Sequence, residues 1–152
     1  MFEKILVCLD GSRLAEQILP YAGEQAIHFG SRVVLIHVAT GPIDVPVAVP
    51  GELGVFVVPD LLPEQIEKAE AYLEQVAQPL RGKGLDVECV ILSGAPGDTI
   101  ISYAHENEVK LIAIATHGRS GLGRLAFGSV ADFVLRESGL PILLVKPRDI
   151  ET

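Results

Sequence analysis

Cysteine is scarce in this 152-residue chain: only Cys8 and Cys89 occur, each inside an apolar run, and neither has a CxxC partner. They are expected to be reduced core residues of an intracellular protein, with a disulfide as the lesser alternative. Long hydrophobic runs are missing as well. The first apolar run extends only from Ile5 to Leu9 before a charge and a glycine, too short for the apolar core of a signal peptide or for a membrane span. A soluble, cytoplasmic protein with no membrane partner is expected. Basic charge is in deficit: 12 Lys and Arg against 20 Asp and Glu give a formal net charge of -8. That balance argues against general binding to nucleic acid or anionic membrane, both of which need a basic face to neutralise phosphate. It leaves room for a small anion at a local basic site. Internal repeats and low-complexity tracts are absent. With 49% hydrophobic residues, the chain suits a single domain over residues 1–152 that buries roughly 70% of its unfolded surface.

What is present is a series of five short apolar runs: Lys4 to Leu9, Val33 to Ala39, Val87 to Leu92, Leu111 to Thr116 and Ile142 to Val145. Most are continuously apolar and rich in Val, Ile and Leu, the composition of parallel strands covered on both faces. Helical patterns separate them. Leu14, Ile18, Tyr21, Ala22 and Phe29 keep helical spacing, as do Ile66, Ala69, Leu73, Val76 and Leu80, with Glu64, Glu67, Glu70 and Glu74 on the opposite, solvated side. A third helix is predicted from near Pro96 and a fourth from near Ser129. The alternation of five strands with four helices implies an α/β fold: right-handed crossovers and one open parallel sheet with helices on both faces. The stretch 40–60, rich in proline, glycine and valine, interrupts it as a long loop. A lid over a pocket, a subunit contact and disorder are all open for it.

Two constellations could carry chemistry. The first is Leu9-Asp10-Gly11-Ser12 at the end of the first strand. In open parallel sheets ligands sit beyond the carboxyl ends of the strands, where an acid can receive a ribose hydroxyl or help hold a metal. Equally, Ser12 can cap the first helix while Asp10 serves its turn. The second is the glycine-rich stretch from Ala115 to Ser129, which joins a strand to a helix. No Asp or Glu occurs from Val109 to Ala131, whereas Lys110, Arg119 and Arg124 do, so this is a positive island on an acidic chain. Glycine lets backbone approach a ligand, and a helix start presents unpaired N–H groups to an anion. Ser129-Val130-Ala131-Asp132 has the form of a capping box, so Ser129 could cap the fourth helix with no ligand involved. Capping does not account for Gly118, Gly121, Gly123 and Gly128 together with the two arginines, so the loop as a whole favours anion binding.

Several catalytic signatures do not occur. There is no GxxxxGK[ST] of a Walker P-loop. Gly121-Leu122-Gly123-Arg124-Leu125-Ala126 matches GxGxxA but lies several residues past the strand, with no acidic residue closing the next one. Gly118-Arg119-Ser120-Gly121 has Leu122 where a nucleophile elbow needs its last glycine. His105-Glu106 lacks the second histidine of HExxH, and the four histidines have no metal-ligand spacing. His28 and His105 read as ordinary helix residues, His37 ends an apolar strand, and His117 lies in the glycine-rich loop.

With Val7-Cys8-Leu9-Asp10-Gly11-Ser12 closing the first strand, Ile36-His37-Val38 in the second, and Gly118, nine residues and Gly128-Ser129 in the loop, the chain resembles the universal stress protein family over nearly its whole length. The resemblance implies a five-stranded parallel sheet of order 3-2-1-4-5, similar to the adenine nucleotide α-hydrolase group, and a homodimer. The ATP-binding branch carries Gly-x-x-Gly, nine residues, then Gly-Ser or Gly-Thr; here Ala115 replaces its first glycine. Carried over by position, Asp10 contacts the ribose and helps hold phosphate or Mg2+, and Val38 lies against adenine. Ala115, Gly118, Arg119, Gly128, Ser129 and Val130 line ribose and phosphates. Alanine at 115 matters if the position needs positive φ or if its methyl meets the ribose.

The resulting expectation is a cytoplasmic module that binds ATP or a related adenine nucleotide and acts as a stress-response sensor, without assigned catalytic residues. A slow Mg2+-dependent ATP hydrolase and a dimeric interaction protein with an empty pocket stand beside it. Neither a P-loop lysine nor an evident base to orient water is in view, two parts that fast phosphoryl transfer uses. The expected dimer joins through Pro141-Ile142-Leu143-Leu144-Val145, an apolar edge strand followed by few residues.

Overall fold

The computed structural model describes residues 1–40, 63–116 and 128–149. Five strands, β1 (Lys4–Leu9), β2 (Arg32–Ala39), β3 (Val87–Ser93), β4 (Leu111–Ala115) and β5 (Ile142–Val145), form one sheet. All its neighbours pair in parallel, in the order β3-β2-β1-β4-β5. Each apolar run became a strand, shifted by at most one residue at an end. The long loop expected at 40–60 lies almost wholly outside the described residues.

Alternation along the strands sorts the core into two layers. Ile5, Val7, Leu9, Val33, Leu35, Leu111 and Ala113 face α1 (Arg13–Glu16), α2 (Leu19–Phe29) and α3 (Pro63–Gly82), where they meet Ile18, Ala22, Leu73 and Ala77. Leu6, Cys8, Val34, Ile36, Ile112 and Ile114 face α4 (Pro96–Glu106) and α5 (Ser129–Glu137), packing on Ile100, Ala104, Ala131 and Val134. Central strands covered on both faces need no polar positions, which explains their unbroken apolar sequence. Among the described residues no helix is long and apolar enough to cross a membrane.

The first helical pattern proves to be two helices. Pro20 has no N–H to give to the Glu16 carbonyl. The chain tightens instead, with Gln17 N donating to Leu14 O and Ile18 N to Ala15 O, both at 3.2 Å. Reorientation between α1 and α2 leaves Tyr21 56% and Phe29 41% exposed, so the buried stripe runs through Ile18, Ala22 and Ala26. The second pattern matches α3, in which Ala69, Leu73, Ala77 and Leu80 are buried. β5 lies at a sheet edge, with all four residues only partly buried.

Candidate functional site

β1 ends on Leu9, and the next three residues build a compact polar turn. Gly11 takes φ 87°, open to glycine without strain. Ser12 then caps α1, its Oγ accepting from Ala15 N at 3.1 Å. Asp10 Oδ1 accepts from both the Ser12 N–H (2.9 Å) and the Ser12 hydroxyl (2.6 Å). The structural roles weighed for these residues are therefore real. Asp10 is nonetheless exposed and stands at the rim of a cavity of about 710 Å³ at the carboxyl ends of the strands.

Three further segments reach that cavity. Pairing between β1 and β2 ends at Leu9 with His37, so Val38 is the first residue of β2 beyond its β1 partner. Ala115 closes β4 in register with Val145. It is ordinary strand, and Glu108 is the one non-glycine residue with positive φ among those described. A methyl at position 115 thus costs no backbone strain.

α5 opens at the third segment, and here the capping expectation fails. Gly128, at φ 27° and ψ 143°, is the N-cap, and among the described residues no side chain caps the helix. Ser129 is already the first helical residue, too far along to serve. Asp132 instead accepts from Arg136 one turn on, at 3.0 Å. Among the described residues the first helical bond runs from Asp132 N to Gly128 O, and the N–H groups of Ser129, Val130 and Ala131, at a wall of the cavity, have no helical partner among them.

Of the eight residues singled out in the sequence, Asp10, Val38, Ala115, Gly128, Ser129 and Val130 line this one cavity. Gly118 and Arg119 lie outside the described residues, as does His117. His28 stacks edge-on with Phe29, and His105 Nε2 bonds the Ser138 carbonyl at 2.9 Å, joining α4 to the chain after α5.

The cavity has walls of two kinds. Under α4 and α5 it is apolar, with Cys8, Ile36, Val38, Ile100 and Ile114. Burial pushes the Cys8 thiol up to about 12, so it is neutral at physiological pH and no nucleophile. Under α3 the wall is polar, with His37, Gln65, Lys68 and Tyr72. Tyr72 donates to Glu16 Oε1 at 3.1 Å, and its phenol is raised by burial and then by the Glu16 and Asp10 charges. His37 Nδ1 lies 3.1 Å from the Leu9 carbonyl. Sequence reasoning missed this wall. Its signal was the spacing of Gln65, Lys68 and Tyr72, which forms one helical stripe beside the buried Ala69, Leu73 and Ala77. Among the described residues no three His, Cys, Asp or Glu side chains come together as a metal site.

A family model described as the universal stress protein family matches residues 1–146. Universal stress protein MJ0531 of Methanocaldococcus jannaschii is 30% identical over 148 residues, covering 96% of this chain and 83% of that protein. Universal stress protein YxiE of Bacillus subtilis is 30% identical over 151 residues, covering 96% and 100%. Among solved structures, the universal stress protein from Archaeoglobus fulgidus in complex with dAMP is similar with a TM-score of 0.69 at 25% identity, over 96% of this chain and 100% of that one. The sheet order, the placement of Asp10 and Gly128-Ser129 at the strand ends, and these matches agree: the chain belongs to the universal stress protein family.

Proposed function

We propose that this chain is a cytoplasmic stress-response module that binds ATP or a related adenine nucleotide at the carboxyl ends of β1, β2 and β4. The observation that carries the reading is the convergence of six residues from four separated segments on one cavity. The apolar wall under α4 and α5 suits a base, with Val38 against it; Asp10 and Ala115 suit the ribose. The N–H groups at the start of α5, at Ser129 and Val130 with Gly128 before them, suit phosphate. Gly118 and Arg119 are assigned to the phosphates from the sequence motif alone. The A. fulgidus relative's complex with dAMP supports the adenine class.

Mg2+ keeps several waters and takes one or two protein carboxylates together with phosphate oxygens. One carboxylate, Asp10, at the rim of the cavity fits that demand, and the metal would neutralise phosphate charge there. Binding and signalling, rather than rapid turnover, is the activity assigned. At a hundredfold excess over its dissociation constant, ATP with Mg2+ should stabilise the fold by roughly 2.7 kcal/mol, a melting shift on the order of 5 °C. No shift at millimolar ATP would overturn the reading.

A homodimer through β5 is part of the proposal. Ile142, Leu143, Leu144 and Val145 carry no charge at an edge whose backbone is paired on one side only among the described residues, and a two-fold axis would satisfy both copies at once. Light scattering at micromolar concentration should give a dimer mass, and making Ile142 and Leu144 both charged should give a monomer.

A further inference from the structure

The two edges of the sheet differ in length: β5 has four residues, whereas β3 has seven. Val33 N donates to Asp86 O at 2.9 Å and Gly94 N to Ala39 O at 3.3 Å, so the even-numbered residues of β3 turn their backbone groups toward β2. The N–H and C=O groups of Val87, Cys89 and Ile91 therefore point out from the edge. Arg81 covers one of them, donating to Val87 O at 3.0 Å. Those of Cys89 and Ile91 have no hydrogen-bond partner among the described residues. No proline or lysine blunts this strand, and Glu88 is its one charge.

Beside this edge runs a groove. α5 covers one side of α4, where Gly97 lies against Phe133 and His105 bonds the Ser138 carbonyl. Asp98, Ser102, Tyr103 and Glu106 fall on the side turned away from α5, and with Leu92 of β3 they line a second cavity of about 450 Å³. The Tyr103 phenol is raised by burial and then by the Glu88 charge, so the β3 carboxylate acts on the same groove. Two of the groove's acids are uncompensated. Arg32 is paired with Asp86 and Glu88, Arg81 with Glu74, and Lys4 Nζ lies on the Asn107 carbonyl. Asp98 and Glu106 make no ion pair or hydrogen bond among the described residues.

The opposite face of β3 is apolar: Cys89 and Ile91 turn toward α3 and pack, partly buried, against the core. A strand laid along β3 alternates its side chains between these two faces. One set continues the Cys89 and Ile91 surface, and the other stands over the acidic groove. Asp98 and Glu106 are eight residues apart on α4, about 12 Å along the helix, which matches the span from one strand residue to the fourth after it. Arginine suits those positions, since its guanidinium can stack on Tyr103 and reach a carboxylate. A second copy of this chain does not suit them, because pairing two β3 edges would bring two acidic grooves together. We infer that the β3 edge and the α4 groove form a docking surface for an extended segment of a partner protein, in which apolar residues alternate with arginine, added to the sheet as a sixth strand. The surface lies apart from the nucleotide cavity and does not depend on that reading.

A short capped peptide of alternating valine and arginine, titrated into the full chain at physiological salt, is the probe, with the Cys89 and Ile91 amides followed by NMR and hydrogen exchange. Those two amides should exchange freely in the unbound chain and become protected at saturation. The same peptide N-methylated along its backbone keeps its charges but can donate no hydrogen bond, and it should bind the unaltered chain at least about tenfold more weakly. Asp98→Asn combined with Glu106→Gln should weaken the parent peptide about fivefold, with the amide spectrum of the core unchanged. Equal binding of the N-methylated peptide would reduce the interaction to unspecific attraction by an acidic chain and overturn the docking surface. So would an unaltered titration of the double variant, or Cys89 and Ile91 amides already protected in the free chain by another segment or a second copy.

Discussion

At its amino end the sheet closes on itself, whereas at its carboxyl end it opens into a cavity. Around the start of β1, Lys4 Nζ donates to the Asn107 carbonyl at 2.8 Å, Lys110 N to Lys4 O at 3.0 Å, and Arg32 N to Glu3 O at 2.9 Å. The Phe2 and Phe29 rings meet edge-on with centroids 5.1 Å apart. At the other end, pairing stops at Leu9 with His37 and at Ala115 with Val145, and Gly11 and Gly128 turn the chain away at positive φ. Stability is concentrated where backbone and side chains are mutually satisfied, and recognition where they are left for a ligand.

The sharpest way to break that separation is through the middle of the sheet. Leu35 is fully buried in β2, so Leu35→Ala should cost about 2–5 kcal/mol in urea unfolding and yet keep the melting shift with ATP. A folded variant that has lost the shift would mean that the core and the cavity are not independent. At the open end the effect should be on binding: Asp10→Ala should cost about 1.5–3 kcal/mol of ATP affinity, as expected for a hydrogen bond to a charged group, with most of the fold's stability retained. Unchanged affinity by calorimetry would confine Asp10 to its turn. Least of all, Lys4→Met should cost about 0.5–1.5 kcal/mol of stability by loss of its bond to Asn107 and leave ATP affinity unaltered.

How far the sequence discloses these two ends differs. Strands were legible because both faces are buried, so β1 and β4 are apolar without interruption and could hardly be anything else. The division of the first helix was not, since the spacing of Leu14, Ile18 and Tyr21 continues smoothly through a proline that acts on the backbone. At the cavity, Asp10 and Gly128-Ser129 were marked by residue type. Gln65, Lys68 and Tyr72 were not, because a polar residue that faces a cavity and one that faces bulk solvent obey the same periodicity. Ser129 shows the opposite failure: its four-residue pattern fits a capping box, but the helix begins at the serine itself, after a glycine whose backbone makes the turn.

The alternation of side chains across the sheet also has a redox consequence. Cys8 stands in register with Ile36, and Cys89 with Leu35, so the two thiols sit two strands apart, about 9.6 Å at the usual strand spacing, and on opposite faces. A disulfide needs Cα atoms within about 7 Å and facing side chains, so the lesser alternative raised by the sequence is excluded within one folded chain. Cys8 is sealed at 6% exposure while Cys89 is only partly buried. A covalent dimer on a non-reducing gel would therefore report oxidation at Cys89 near the β3 edge, at the far side of the sheet from β5, and it should vanish in Cys89→Ser without altering the mass measured in reducing buffer.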